Sequence, residues 1–246
     1  VVTLANGETS SAVLDGFTIT GGTANGSGTS SSLSFDGTDD YVELQPIDLS
    51  AENTLTFSSD IWIDEFTEFI VLLRQDGAQF DWLLQINENG SFIESQIITD
   101  THNQAGIWHY IDADDFLNKW NNIATTYDGE YIHIYINGEL VQTGTWGGII
   151  NYNEGNNLYF GGSPMLNDHY LNGKLDNISI WNTALTQEEI QSYILTPPTG
   201  DETNLVGYWN FNEGTGTTLT DLSGNGNDGT IYGATWSDDA PSSNEY

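Results

Sequence analysis

The segment WNNIATTYDGEYIHIYINGELV, residues 120–141, reads as three strand segments joined by two tight turns. Residues 120–127 are mainly β-branched, aromatic or small, and Asp128-Gly129 then supplies a dipeptide that tolerates the positive φ of a hairpin turn. Isoleucine occupies every second position of 131–137, which is the period of a strand with one buried face. Because Asn137-Gly138 forms a second turn signal directly afterwards, the segment predicts an antiparallel meander.

Four segments, in this order along the chain, resemble motifs of the laminin-G-like, concanavalin-A-like jelly rolls of secreted bacterial proteins. They are SFDGTDDYV (34–42), TLTFSSDIWI (54–63), the meander itself and GKLDNISIWNTAL (173–185). The resemblance implies an all-β fold, an antiparallel two-sheet β-sandwich of the concanavalin A-like jelly-roll type. A capping box at Thr186–Glu189, flanked by Leu185 and Ile190, predicts one short helix from about 186 to 193.

The two ends of the chain differ from its middle. Residues 1–30 are either a first strand or a remnant resembling one rung of a β-helix, followed by a Gly/Ser/Thr-rich linker. We expect one jelly roll over 31–246 that includes 205–236, a segment that opens the domain in many members of the family. Here it is either circularly permuted or the start of a truncated second repeat. We favour permutation, since its apolar and aromatic side chains would otherwise lack a core.

Composition narrows the possible partners. The chain has 246 residues, with 36 Asp and Glu, 3 Lys and Arg and no cysteine. This balance argues against nucleic acid or an anionic membrane as a partner, because binding to either requires basic patches. No apolar run reaches the length of a membrane span, so we do not expect membrane insertion. The absence of cysteine excludes disulfides and thiol catalysis. The resemblance indicates a secreted or cell-surface bacterial protein, excised from a longer chain whose other domains are its neighbours.

Catalytic motifs of this fold and of common hydrolases are missing. Glycan hydrolases on this fold carry acidic residues at alternate positions of one strand, in an E-x-D-x-E spacing that is not present here. Polysaccharide lyases on the fold resemble one another in arginine-rich strands, whereas this chain contains a single arginine, Arg74. There is neither a G-x-S-x-G nor an H-E-x-x-H motif. We therefore expect a protein that is not an enzyme.

Calcium is the expected cofactor. The resemblance places Asp176 where relatives hold a structural calcium, with Asp36 and Gly37 in the turn near the first strand. Asp39 and Asp40 add carboxylates to the same turn, and such oxygen-rich clusters suit calcium, although the aspartates could simply cap the turn. A second candidate is the loop 221–229, along which oxygen-bearing side chains alternate, Asp221 and Asn225 among them, but no closing Glu follows.

Flat aromatic rings with polar neighbours are the expected sugar contacts. The candidates are Trp82, Trp108, His109, Tyr110, Trp146 and Tyr152. Trp108 and Trp146 are the two we expect in irregular loops. Five of the eight tryptophans lie in strand motifs and are expected in the core: Trp62, Trp120, Trp181, Trp209 and Trp236.

These features predict a non-catalytic, lectin-like carbohydrate-binding module, stabilised by calcium. A structural or adhesive spacer in a large surface protein is the alternative, and a glycan-degrading enzyme is a third possibility. The sequence does not identify the sugar.

Overall fold

The computed structural model describes residues 30–50, 53–76, 81–87, 90–103, 105–152, 155–166 and 169–242. The predictions for residues 1–29 lie outside this range. The strands are β1 (Ser32–Asp36), β2 (Tyr41–Leu44), β3 (Leu55–Glu65), β4 (Ile70–Asp76), β5 (Trp82–Ile86), β6 (Phe92–Ile97), β7 (Ala105–Tyr110), β8 (Trp120–Tyr127), β9 (Tyr131–Ile136), β10 (Glu139–Thr145), β11 (Asn157–Phe160), β12 (Asn172–Trp181), β13 (Leu205–Trp209), β14 (Thr218–Leu219), β15 (Gly229–Tyr232) and β16 (Thr235–Ser237). A 3₁₀ turn covers Ala113–Asp115, and helix α1 covers Gln187–Leu195.

The strands form two sheets that pack face to face. Sheet A has the order β10-β9-β8-β3-β12-β1-β16, and β13 also pairs with β12. Sheet B has the order β14-β15-β2-β11-β4-β5-β6-β7. All pairings between these strands are antiparallel, so the predicted two-sheet jelly roll with one helix is confirmed.

The meander has the predicted register. Ile123 of β8 lies opposite Ile136 of β9, and β10 returns beside β9. Asn137 and Gly138 both have positive φ, 51° and 76°, as the tight β9–β10 turn requires. Ile132 and Ile134 are buried in the core between the sheets, which is the face that the alternation predicts.

A smaller core lies on the outer face of sheet A beneath α1. It contains Ala124, Tyr135, Trp181, Leu185, Ile190, Leu205 and Tyr208. Thr186 caps α1 by accepting a hydrogen bond from the N–H of Glu189, whose side chain accepts from the N–H of Thr186 in return. This is the predicted capping box, which defines where the helix begins, and Ile190 packs the helix against the smaller core.

The C-terminal segment contributes strands to both sheets. β13 pairs with β12, β15 with β2 and β16 with β1. Trp209, Phe211, Leu219 and Ile231 from this segment are buried in the core between the sheets. Trp62, expected in the core, is instead half-buried and faces outward from sheet A under Lys174, whereas Trp236 on the edge strand β16 is half-buried and packs against the core.

Candidate functional site

The edges of the two sheets meet along β7 and β10. β7 is the last strand of sheet B and β10 is the last strand of sheet A, and the two strands are in contact. Gly144 of β10 permits the close approach, because a Cβ at that position would lie 2.1 Å from Cγ2 of Ile107. The channel along these two strands is termed the seam groove.

Two of the predicted sugar-binding residues lie at one end of the seam groove. Trp108 and Trp146 line the same cavity of about 380 Å³, together with residues 106–107 and 142–145. Trp108 is 53 % exposed, whereas Trp146 is half-buried against the core. The prediction that Trp108 lies in an irregular loop is wrong. It lies in β7, where Ala105 and Ile107 point inward and Trp108 therefore points outward.

The backbone that carries Trp146 is held by several contacts. The Tyr127 hydroxyl lies 3.1 Å from the carbonyl oxygen of Trp146 and 2.7 Å from that of Gly148. Thr101 donates its hydroxyl to the carbonyl of Gly147 over 2.7 Å. The His102 ring stands edge-on to the Trp146 ring, with 5.3 Å between centroids. The indole is thus positioned before any ligand arrives.

A fixed hydrogen-bond acceptor lies beside Trp108. Glu94 of β6 is directly opposite Trp108 in the sheet, so both side chains lie on the same face. Gln85 donates its amide to Glu94 Oε2 over 2.7 Å, and Gln96 donates to Glu94 Oε1. An aromatic ring with an oriented carboxylate next to it can stack against a sugar and accept hydrogen bonds from its hydroxyls.

His109 and Tyr110 lie at the other end of the seam groove. They line a cavity of about 430 Å³ whose other residues are Ile111, Asp112, Asp115, Phe116, Lys119, Trp120, Asn121, Ile136, Asn137 and Val141. His109 is half-buried, and Tyr110 is 71 % exposed. The structure therefore brings Trp108, His109, Tyr110 and Trp146 to one side of the molecule.

The other two predicted sugar contacts lie elsewhere. Trp82 is only 3 % exposed and packs edge-on against Phe57 in the core, so the prediction that it contacts a ligand is wrong. Its position follows from strand alternation, since Trp82, Leu84 and Ile86 share the inward face of β5. Tyr152 is half-buried next to Trp82 and does not line the seam groove.

Asp176 lies opposite a second buried carboxyl. It pairs with Asp60 across β12 and β3, and both residues are about 95 % or more buried. Burial raises the pKa of Asp176 well above its usual range, and the neighbouring Asp60 carboxylate raises this pKa further. The N–H of Asn177, which donates to Asp176 over 2.7 Å, opposes this only in part.

Glu213 adds a third carboxyl to this region. Its charge also acts to raise the pKa of Asp176. Its Oε1 accepts from the N–H of Thr220 over 2.7 Å, but Oε2 is buried and has no hydrogen-bond partner among the described residues. Asp60, Asp176 and Glu213 are termed the acidic cluster. Asp60 and Asp176 face each other away from water, whereas Glu213 is half-buried, and like charges in such a place call for a proton or a cation.

Asp36 and Gly37 are not part of the acidic cluster. Asp36 pairs with Asn172, four residues before Asp176 on β12, which corresponds to roughly 13 Å along the strand. The antiparallel pairing explains this separation, because the end of β1 meets the start of β12. The expectation that these residues share one site with Asp176 is therefore wrong.

The β1–β2 turn forms its own group of carboxylates. Asp36, Asp39 and Asp40 can each place an oxygen within 4.8 Å of the others. Asp40 accepts from the N–H of Asp36, and Asp36 accepts from the N–H of Thr38, each over 2.9 Å. These bonds account for Asp36 and Asp40 as turn-capping residues.

The loop 221–229 uses its polar groups internally. Asp221 accepts from the N–H groups of Tyr208, Ser223 and Asn227 at 2.9–3.1 Å. Asn225 donates its amide to the carbonyls of Leu205 and Val206. These contacts give Asp221 and Asn225 a structural role in anchoring the loop to β13, and calcium binding by them stays a prediction.

The sequence predictions missed Asp60 and one aromatic group. Tyr41 stacks on Tyr232 with 4.7 Å between centroids and meets Tyr159 edge-on, at the side of sheet B far from β7. Only the strand register brings these three rings together, and it likewise brings Asp60 opposite Asp176. Neither group has a signature in the linear sequence.

Comparisons with solved structures agree with the fold. The chain is similar to a candidate carbohydrate-binding protein from Bacteroides ovatus ATCC 8483, with a TM-score of 0.67 and 18 % identity, covering 85 % of this chain and 59 % of that one. It is also similar to the heptameric SAP-like pentraxin of Limulus polyphemus, with a TM-score of 0.50 and 16 % identity, covering 67 % of this chain and 82 % of the pentraxin.

Sequence comparisons identify the family. Human pappalysin-1 is 36 % identical over 78 residues, which are 30 % of this chain and 5 % of pappalysin-1. The match to the murine protein has the same extent. Within the residues that the structure describes, no helix has the length and apolar character needed to span a bilayer. The Laminin_G_3 family model matches residues 36–191, and the chain therefore belongs to the concanavalin A-like lectin/glucanases superfamily.

Proposed function

We propose that this chain is a non-catalytic carbohydrate-binding module of a secreted or cell-surface bacterial protein, and that it binds a glycan in the seam groove. The observation that carries the proposal is the placement of Trp108 and Trp146 in one cavity, with Trp108 more than half exposed. Ligand-binding pockets are typically lined by aromatic and apolar side chains with a few polar groups among them. The fold-level likeness to the Bacteroides ovatus protein supports the same function.

The chemistry of the groove suits a sugar. The faces of the indole rings can stack against the C–H face of a sugar ring, and the Glu94 carboxylate can accept hydrogen bonds from its hydroxyls. Because Trp146 and Glu94 are each held by other residues, little conformational entropy is lost on binding. A preformed groove of this kind is sufficient for recognition and needs no catalytic group.

A glycan array with the purified chain, followed by titration of the strongest ligand, tests the proposal. Trp108→Ala and Trp146→Ala are each expected to weaken binding by about 1 kcal/mol or more, roughly fivefold in Kd. Tyr232→Ala is the matched control, since Tyr232 is 42 % exposed but lies at the far side of sheet B. If neither tryptophan variant changes any signal, the spacer function gains support.

We further propose that calcium stabilises the fold at the acidic cluster. Asp176 is the residue that would hold the ion, with Asp60 opposite it in the sheet and the charge of Glu213 also acting on it. The buried Glu213 Oε2 atom without a partner supports this fit, since calcium prefers carboxylate and carbonyl oxygens. Bound calcium would supply the positive charge that the cluster itself lacks.

A further inference from the structure

The two cavities of the seam groove are lined by neighbouring residues of both strands. On β7, Trp108 lines the first cavity and His109 lines the second. On β10, Gln142 lines the first and Val141 lines the second. β7 alone spans about 17 Å from its first to its last residue. The groove therefore extends well beyond the part that Trp108 and Trp146 line.

The outward rings of β7 follow the groove. Trp108 and Tyr110 are two residues apart on one strand, so both side chains leave the same face of sheet B. Tyr110 is 71 % exposed, and Phe92 supports it edge-on with 5.9 Å between centroids. The two exposed rings form a short row in which each lines one of the two cavities.

The second cavity also offers polar groups of every type that a sugar hydroxyl uses. Asp112 and Asp115 supply carboxylates, and Lys119 supplies an ammonium group 3.8 Å from Asp115. Asn121 and Asn137 are fixed by a hydrogen bond between their side chains over 3.1 Å. Exposed rings next to oriented amides and charged groups repeat the chemistry found around Trp108.

We propose that Tyr110 and the second cavity form a further subsite, so that the ligand is a neutral oligosaccharide chain lying along β7 rather than a single sugar. This inference rests on the proposed glycan-binding function and deepens it. One sugar unit contacts Trp108 and Trp146, and a later unit contacts Tyr110. A uronate-bearing or sulfated chain is disfavoured by repulsion, because Asp112 and Asp115 line the second cavity, Glu94 lies opposite Trp108 and the whole chain carries a net charge of −33.

A ladder of neutral oligosaccharides with one to six units of the linkage found on the array tests the inference by calorimetric titration. The parent protein should bind longer ligands at least about fivefold more tightly than the shortest one, as one additional aromatic contact implies. Tyr110→Ala should abolish this gain and leave the affinity for the shortest ligand unchanged. Tyr232→Ala should preserve both properties.

Three results would overturn the inference. They are a parent protein whose affinity does not depend on chain length, a Tyr110→Ala variant that keeps the full gain, and equal or tighter binding of uronate-bearing or sulfated chains of the same length. In each of these the proposed function survives, because a glycan still binds. If no glycan binds the parent protein at all, the proposed function fails and this inference fails with it.

Discussion

Asp176 is the residue whose environment departs most from that of a free aspartate. Its folded pKa is raised well above that of an ordinary aspartate, so the folded chain retains a proton that the unfolded chain has released. In chelator, the contribution of Asp176 to the free energy of unfolding should therefore be fully present below the unfolded pKa and should be lost as pH rises through the folded pKa. Asp176→Asn should remove this dependence on pH. Urea unfolding at a series of pH values measures how the free energy of unfolding depends on pH in the parent protein and in Asp176→Asn.

Calcium should make the parent protein more stable than Asp176→Asn, the reverse of the order expected in chelator. Binding to the folded parent stabilises it by about 2.7 kcal/mol at a hundredfold excess over Kd, which raises Tm by roughly 5 °C or more. Asp176→Asn should gain little from calcium, although it should be the more stable protein in chelator. Magnesium should replace calcium poorly because it requires a smaller octahedral site. A calcium response that is undiminished in the variant, or that magnesium matches, would indicate general charge screening instead.

Strand alternation could have corrected two of the residue predictions. In AGIWHY, residues 105–110, the small and apolar side chains alternate with Trp108 and Tyr110, which predicts a strand with outward rings. Trp82, Leu84 and Ile86 occupy alternate positions of one strand, so the same rule predicts that Trp82 is a core residue. Asp60 could not have been found in this way, because its position opposite Asp176 depends on the pairing of β3 with β12, strands far apart in the sequence.

At the scale of elements, the contact between β7 and β10 depends on Gly144. Gly144→Ala should force the two edges apart, because the added Cβ would overlap Ile107, and overpacking of this kind typically costs about 1–3 kcal/mol. Gly147→Ala is the matched control, since the nearest atom to its Cβ would lie 3.9 Å away. Denaturant midpoints of the two variants give the comparison. Equal denaturant midpoints for Gly144→Ala and Gly147→Ala would show that β7 and β10 can move apart without loss of stability.

The elements themselves follow largely from the sequence. The meander and the capped helix α1 are signalled by local turns, alternation and the Thr186–Glu189 pair, and the structure confirms both. The meeting of β7 with β10 has no local signal. It arises because each is the edge strand of its own sheet, which is a property of the strand order.

At the scale of the whole molecule, the C-terminal segment pairs with three separate strands. Removing residues 205–246 should leave β1, β2 and β12 with unpaired edges and expose the core where Trp209 and Phe211 pack. The truncated chain should be insoluble or should unfold without a cooperative transition. Thermal unfolding followed by circular dichroism, beside the full chain, decides this. A soluble truncated chain with a sharp transition would assign the segment to a following repeat.

The central claim is that a glycan binds in the seam groove, and the indole N–H signals of the eight tryptophans report on it directly by NMR. Titration with the strongest array ligand should shift the signals of Trp108 and Trp146, assigned by Trp108→Phe and Trp146→Phe. The buried Trp181 and Trp209 should not respond, since both lie far inside the two cores. Shifts confined to other tryptophans, with Trp108 and Trp146 unmoved at saturating ligand, would contradict the account.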